Sequence, residues 1–129
     1  AEHRRTPGGF VGQAIAADLA LLDQRLHGLD LFDDLSLPVG ALVNTALYDH
    51  CPQVVMAFAE RGDELIAHGH TNAERQGGWP ETQERALLQQ CRNRMTQAHG
   101  RAPQGWLSPW ISESALTPDL LRETGYRYR

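Results

Sequence analysis

"DELIAHGHTNAE", residues 63–74, is the stretch on which the reading of this chain turns. A short apolar run, Leu65 to Ala67, is followed at once by His68, His70, Asn72 and Glu74. An apolar run of that length, bounded by turn residues, fits a buried strand of a parallel sheet. His68 then stands at the strand's C-terminal end.

Upstream, Pro52 suits the first turn of a helix running to about Arg61, with Val55 and Phe58 or Ala59 inward and Gly62 as its stop. Before it, "VGALV" (39–43), held between Pro38 and Asn44, is a second buried strand. Residues 29–37, "LDLFDDLSL", give a short helical stretch with Leu29, Phe32 and Leu35 on one side. Ile15, Leu19, Leu22 and Leu26 mark a helical face that Gly28 stops, and residues 1–10 read as a loose arm.

Downstream, a helix from near Pro80 to about His99 carries Leu87, Leu88, Cys91, Met95 and Ala98 at helical spacing, and Gly100 ends it. "QGWL" (104–107) is the third strand, ending at Ser108-Pro109. Thr117 is expected to cap a helix starting at Pro118 and stopping at Gly125, after which "YRYR" (126–129) opens a fourth strand. Strand and helix therefore alternate, which predicts an α/β fold with a parallel sheet. The 129 residues suffice for one domain. A full (β/α)8 barrel takes ~250 residues, so the sheet is either small and open or part of a longer barrel.

The composition excludes several classes. With 12 Lys+Arg (all arginine) against 16 Asp+Glu, net charge −4 and no segregation of sign, there is no basic footprint for nucleic acid. No apolar run approaches the ~20 residues that cross a bilayer. Cys51 and Cys91 suggest neither a disulfide framework nor a zinc ribbon, so a reducing, cytoplasmic setting is expected.

In parallel βα architectures the reactive groups gather at the C-terminal ends of strands. Those ends are Asn44, His68 and Ser108. His68 and His70 would present two ring nitrogens to a metal if the strand ran through both, but Gly69 invites a turn that carries His70 off that face. Glu74 reads as a base or ligand, or as a solvated loop charge. Asp49 and His50 read as rim groups or as a helix start, and Asp30, Asp33 and Asp34 as surface. Trp79, Trp106 and Trp110 form either a stacking platform for a ring-shaped substrate or the top of the core.

Three segments in order, "LSLPVGALVNTALYDHCPQVVMAFAERGDELIAHG" (35–69), "GRAPQGWLSPW" (100–110) and "TPDLLRETGYRY" (117–128), resemble the polysaccharide deacetylase superfamily. The resemblance implies a distorted (β/α) barrel of which these residues are an incomplete portion. It maps the first metal-binding His onto His68, and the Pro-aromatic strand end that shapes the substrate groove onto Pro109 and Trp110. Where the metal-dependent members carry H-[ST]-x-x-H, this chain has Gly69 and Asn72, and an amide oxygen is a poor zinc ligand. The usual strand-ending Asp pair is also missing. These departures resemble the allantoinase-like branch.

The resemblance implies a hydrolase of non-peptide C–N bonds, acting on an N-acetyl sugar or a small ureide or cyclic amide. His68, Glu74 and Trp110 would be catalytic, and Asn44, Trp79, Trp106, Ser108 and Pro109 would line the substrate. His68 and Asn72 would face a divalent metal (zinc), weakly bound or absent. The alternative is a non-catalytic carbohydrate- or metabolite-binding relative. Exposed sheet edges would favour a homo-oligomer.

Overall fold

Parallel pairing organises the chain. In the computed structural model, which describes residues 28–129, β1 (Gly40–Val43) lies beside β2 (Glu64–Ala67), Gly40 opposite Glu64 and Val43 opposite Ala67. Two further parallel bridges, Ala67 with Trp106 and Gly105 with Tyr128, set four extended segments side by side in chain order. The third and fourth strands expected from the sequence are thus single bridges. The third segment is hemmed by Pro103 and Pro109, and a proline has no N–H to give to a ladder.

The chain divides between residues 37 and 38 into two units. In the first, residues 28–34 are helical (α1) and close on Ser36, with the Leu37 N–H 2.9 Å from the Phe32 carbonyl. Leu29 is buried while Phe32 and Leu35 are exposed, so the three do not share one buried face. The expected arm and the helix over residues 11–26 lie outside the described residues.

In the second unit a short α2 (Leu47–His50) follows β1, and it holds the exposed Asp49 and His50. α3 (Pro52–Arg61) begins on its proline and stops at Gly62, as read. α4 (Glu81–His99) and α5 (Thr117–Thr124) end at Gly100 and Gly125. Thr117 is not a side-chain cap but the first residue of α5.

Both strands alternate. Ala41, Val43, Leu65 and Ala67 point into a core closed by Val55, by Leu87, Leu88, Cys91 and Met95 of α4, by Trp106, and by Leu120, Leu121 and Tyr126. Each large apolar side chain buried there contributes roughly 1.5–3 kcal/mol. Burial pushes the Cys91 thiol up to about 12, so it behaves as a small apolar group. The opposite sheet face carries Leu42, 45% exposed, Tyr128, 43% exposed, and half-buried Ile66, together with the exposed Glu64, whose carboxylate accepts the Tyr128 hydroxyl.

At the far end of α4 the Tyr48 hydroxyl lies 2.7 Å from His99 Nε2, and the Arg94 guanidinium lies 4.8 Å from the Tyr48 ring centre. Burial raises Tyr48 to about 12 against the opposing pull of Arg94, so the phenol keeps its proton. Burial, helped by Arg101, holds His99 below its ordinary 6.5. The unfolded chain therefore takes up this proton first as pH falls. The contribution of His99 is complete above about 6.5 and is lost as pH drops from there through the lower folded value. Urea titrations across this range should show stability falling below about pH 6.5, with a shallower fall in His99→Gln.

Candidate functional site

The C-terminal ends of the parallel segments meet in a short ladder. The His68 N–H bonds the Val43 carbonyl at 2.9 Å, and the Leu107 N–H bonds the Ala67 carbonyl at 3.0 Å. Asn44 donates from its side-chain amide to the His68 carbonyl, so Asn44 fixes the strand end and does not reach outward.

His68 is half-buried, and its Nδ1 lies 2.6 Å from the Leu107 carbonyl oxygen. A carbonyl only accepts, so Nδ1 carries the proton when the ring is neutral. Nε2 is then the bare nitrogen, and it has no hydrogen bond among the described residues. Such a backbone bond to the far nitrogen is how a reactive or metal-binding imidazole is held in one tautomer.

Immediately after, Gly69 turns with φ +71°, and a Cβ there would lie 2.8 Å from Pro109 Cγ and 3.2 Å from the Thr71 carbonyl oxygen. A Ser or Thr at this position would therefore require the strand end to shift. The turn sends His70 the other way: its Nδ1 meets the buried Thr45 hydroxyl at 3.0 Å, in a groove that also includes Asp49 and Arg94. The two rings do not converge on one metal, in line with the turn expected at Gly69 and against the alternative in which both face a zinc.

Both Glu74 oxygens receive the Thr71 N–H, at 2.9 and 3.0 Å, and the Thr71 hydroxyl donates to one of them at 3.1 Å. Glu74 thus closes its own loop. Asn72 is exposed and contributes its backbone carbonyl, which accepts the Trp110 indole N–H at 2.6 Å. Among the described residues no group of three or more His, Cys, Asp or Glu side chains could hold a metal.

The tryptophans separate. Trp106 is 1% exposed and donates its indole N–H to the buried Ser108 hydroxyl at 2.9 Å. Both residues are interior structure with no surface for a ligand, a correction to their expected role. Trp79 is half-buried against the core, and Pro109 is buried against Gly69. Trp110 alone stands out, 65% exposed, on a backbone with φ +60° that Ile111 continues at +52°. The backbone N–H of Trp110, unlike its indole N–H, makes no hydrogen bond among the described residues.

Beneath this rim lies a group the sequence reading missed. Glu84 of α4 is 1% exposed and accepts from Gln76 Nε2 at 2.9 Å, from the Ser114 hydroxyl at 2.7 Å and from the Thr117 hydroxyl. Gln76 lies in the connection between β2 and α4, and Ser114 in the connection between Trp110 and α5. One buried carboxylate therefore ties both walls together. The available signal was its place one turn before Leu87, Leu88, Cys91 and Met95 on the same helical face.

The polysaccharide deacetylase family model matches residues 25–129. Among solved structures, the chain is 26% identical to a protein from Mycobacterium smegmatis assigned as a polysaccharide deacetylase, over 80% of this chain and 35% of that one, with a TM-score of 0.70. It shares the fold of the PuuE allantoinase crystal structure, at 24% identity over 76% of this chain and 32% of that one, with a TM-score of 0.66. The chain spans about a third of the length of each. No curated protein matches it significantly. No helix among the described residues is long and apolar enough to cross a membrane.

Proposed function

We propose, on the premise that this chain belongs to the polysaccharide deacetylase family, that it carries part of the active face of a carbon–nitrogen bond hydrolase built on a longer (β/α) barrel. Two features support the longer barrel. The chain covers about a third of each similar structure, and its second sheet face exposes Leu42 and Tyr128 beside Ile66, side chains that the inside of a closed barrel would cover.

The observation that carries the chemistry is the Nδ1 contact of His68 with the Leu107 carbonyl, which frees Nε2 at the strand end. A water held against Nε2 would attack the amide carbonyl carbon. Its proton would pass to Nε2 as the C–O bond forms, and then to the departing nitrogen as the C–N bond breaks. The Leu107 carbonyl steadies the transient imidazolium. The unpaired backbone N–H of Trp110 is the proposed oxyanion donor, a contribution of roughly 3 kcal/mol to the barrier.

A divalent metal such as zinc does not fit the described residues as a complete site. His68 offers one nitrogen, Asn72 a neutral exposed amide and Glu74 a carboxylate already taken by Thr71. No step is routed through a metal. The small-molecule or oligosaccharide substrate, the cytoplasmic setting and homo-oligomerisation belong to the same proposal. A purely binding relative is the second reading, favoured by the lone imidazole.

Release of acetate or amine from a panel of N-acetyl sugars, ureides and cyclic amides tests the assignment. His68→Ala should lower turnover about a hundredfold with an unchanged melting curve, and Glu74→Gln should act through loop order alone. Equal turnover in His68→Ala and wild type would remove the histidine from the chemistry.

A further inference from the structure

Next to His68 the rim holds a cation that the hydrolytic chemistry does not use. The Arg75 guanidinium lies 4.6 Å from the Trp110 ring centre and forms no ion pair among the described residues. Its sequence neighbour Glu74 would be the obvious partner, but both of that carboxylate's oxygens are engaged by Thr71. An indole face engages a guanidinium without using its N–H donors, and that planar fork of donors matches a carboxylate.

The pair is also held in place. Trp110 is tethered through its indole N–H to Asn72, and the backbone keeps two successive non-glycine residues at positive φ. Strain of that kind persists where the surroundings impose it, commonly at functional rims. Arg75 immediately precedes Gln76, and Trp110 leads into Ser114, so both loops rest on the same buried Glu84.

We propose that Arg75 stacked on Trp110 is an anion-recognition site at the rim of the His68 site, and that the substrate carries a carboxylate beside the amide to be cleaved. The role of this anion as substrate rests on the hydrolase reading; anion binding itself does not.

The test follows the Trp110 indole N–H by NMR, assigned with Trp110→Phe, during titration with N-acetylglycine, its neutral amide and inorganic phosphate. N-acetylglycine should bind about tenfold tighter than the neutral amide, the discrimination expected of one charge-assisted fork. Arg75→Gln should abolish that preference without moving the Trp106 signal, and Arg75→Lys should keep only part of it. Equal affinity for both amides, or a preference that survives in Arg75→Gln, overturns the proposal. So does tighter binding of phosphate than of carboxylate. A tenfold preference in a protein that hydrolyses no amide would uphold the anion site while removing the hydrolase reading. Hydrolysis of neutral amides with no anion preference would do the reverse.

Discussion

Trp106→Ala is expected to lower the unfolding free energy by about 4 kcal/mol, the middle of the range for deleting a buried indole. Trp106 is almost wholly enclosed, meets Tyr126 edge-on at 5.5 Å between ring centres, and satisfies the Ser108 hydroxyl. Truncation leaves a cavity and an unpaired buried hydroxyl together. Domains of this size are stable by ~5–15 kcal/mol, so a large share of the total would go. Trp106→Phe keeps most of the packing and loses the hydrogen bond, a cost of about 1–2 kcal/mol. Chemical denaturation followed by far-UV circular dichroism separates the two variants. A loss under about 1 kcal/mol for the alanine variant would mean that the indole is at the surface and available to a ligand.

Gly77→Ala should cost about 3 kcal/mol, the upper end of overpacking, although the residue is in a loop. A Cβ there would sit 2.5 Å from the Glu113 carbonyl oxygen and 2.9 Å from its nitrogen. These are backbone atoms and cannot rotate away. The two loops could accept the methyl only by separating, which would also strain the Gly77 N–H bond to the Ser112 hydroxyl and the Glu84 clamp below. Gly78 next door has nothing within 4 Å of such a Cβ, so Gly78→Ala should change stability by less than about 0.5 kcal/mol. Equal effects from the two substitutions would show that the loops do not touch at Gly77.

The alternation of strand and helix was legible because each element carries its own local signal. Pro52 opens α3, the glycines at 62, 100 and 125 close three helices, and Leu87 through Met95 mark the buried face of α4. The departure of His70 was legible too, since only the glycine before it permits the turn.

What could not be read was which polar or aromatic groups point inward. Trp106 and Trp110 lie four residues apart near the same strand end, yet one is core and the other rim. The positive φ at Trp110 decides this, and no residue type announces it. Glu84 was passed over because a charged residue is read as surface by default. Its burial depends on three donors, Gln76 and Ser114 from two loops and Thr117 from the start of α5. By residue type Asn72 reads as facing a metal and Glu74 as a base, a ligand or a solvated charge, whereas the fold uses a backbone carbonyl of one and the loop-closing carboxylate of the other.

The most direct test is the tautomer of His68, read from the nitrogen chemical shifts of the neutral ring by long-range proton–nitrogen NMR. Donation to the Leu107 carbonyl predicts a protonated Nδ1 and a bare Nε2. A proton found on Nε2 instead, or a ring averaging between both forms, would contradict an imidazole poised to accept a proton from water.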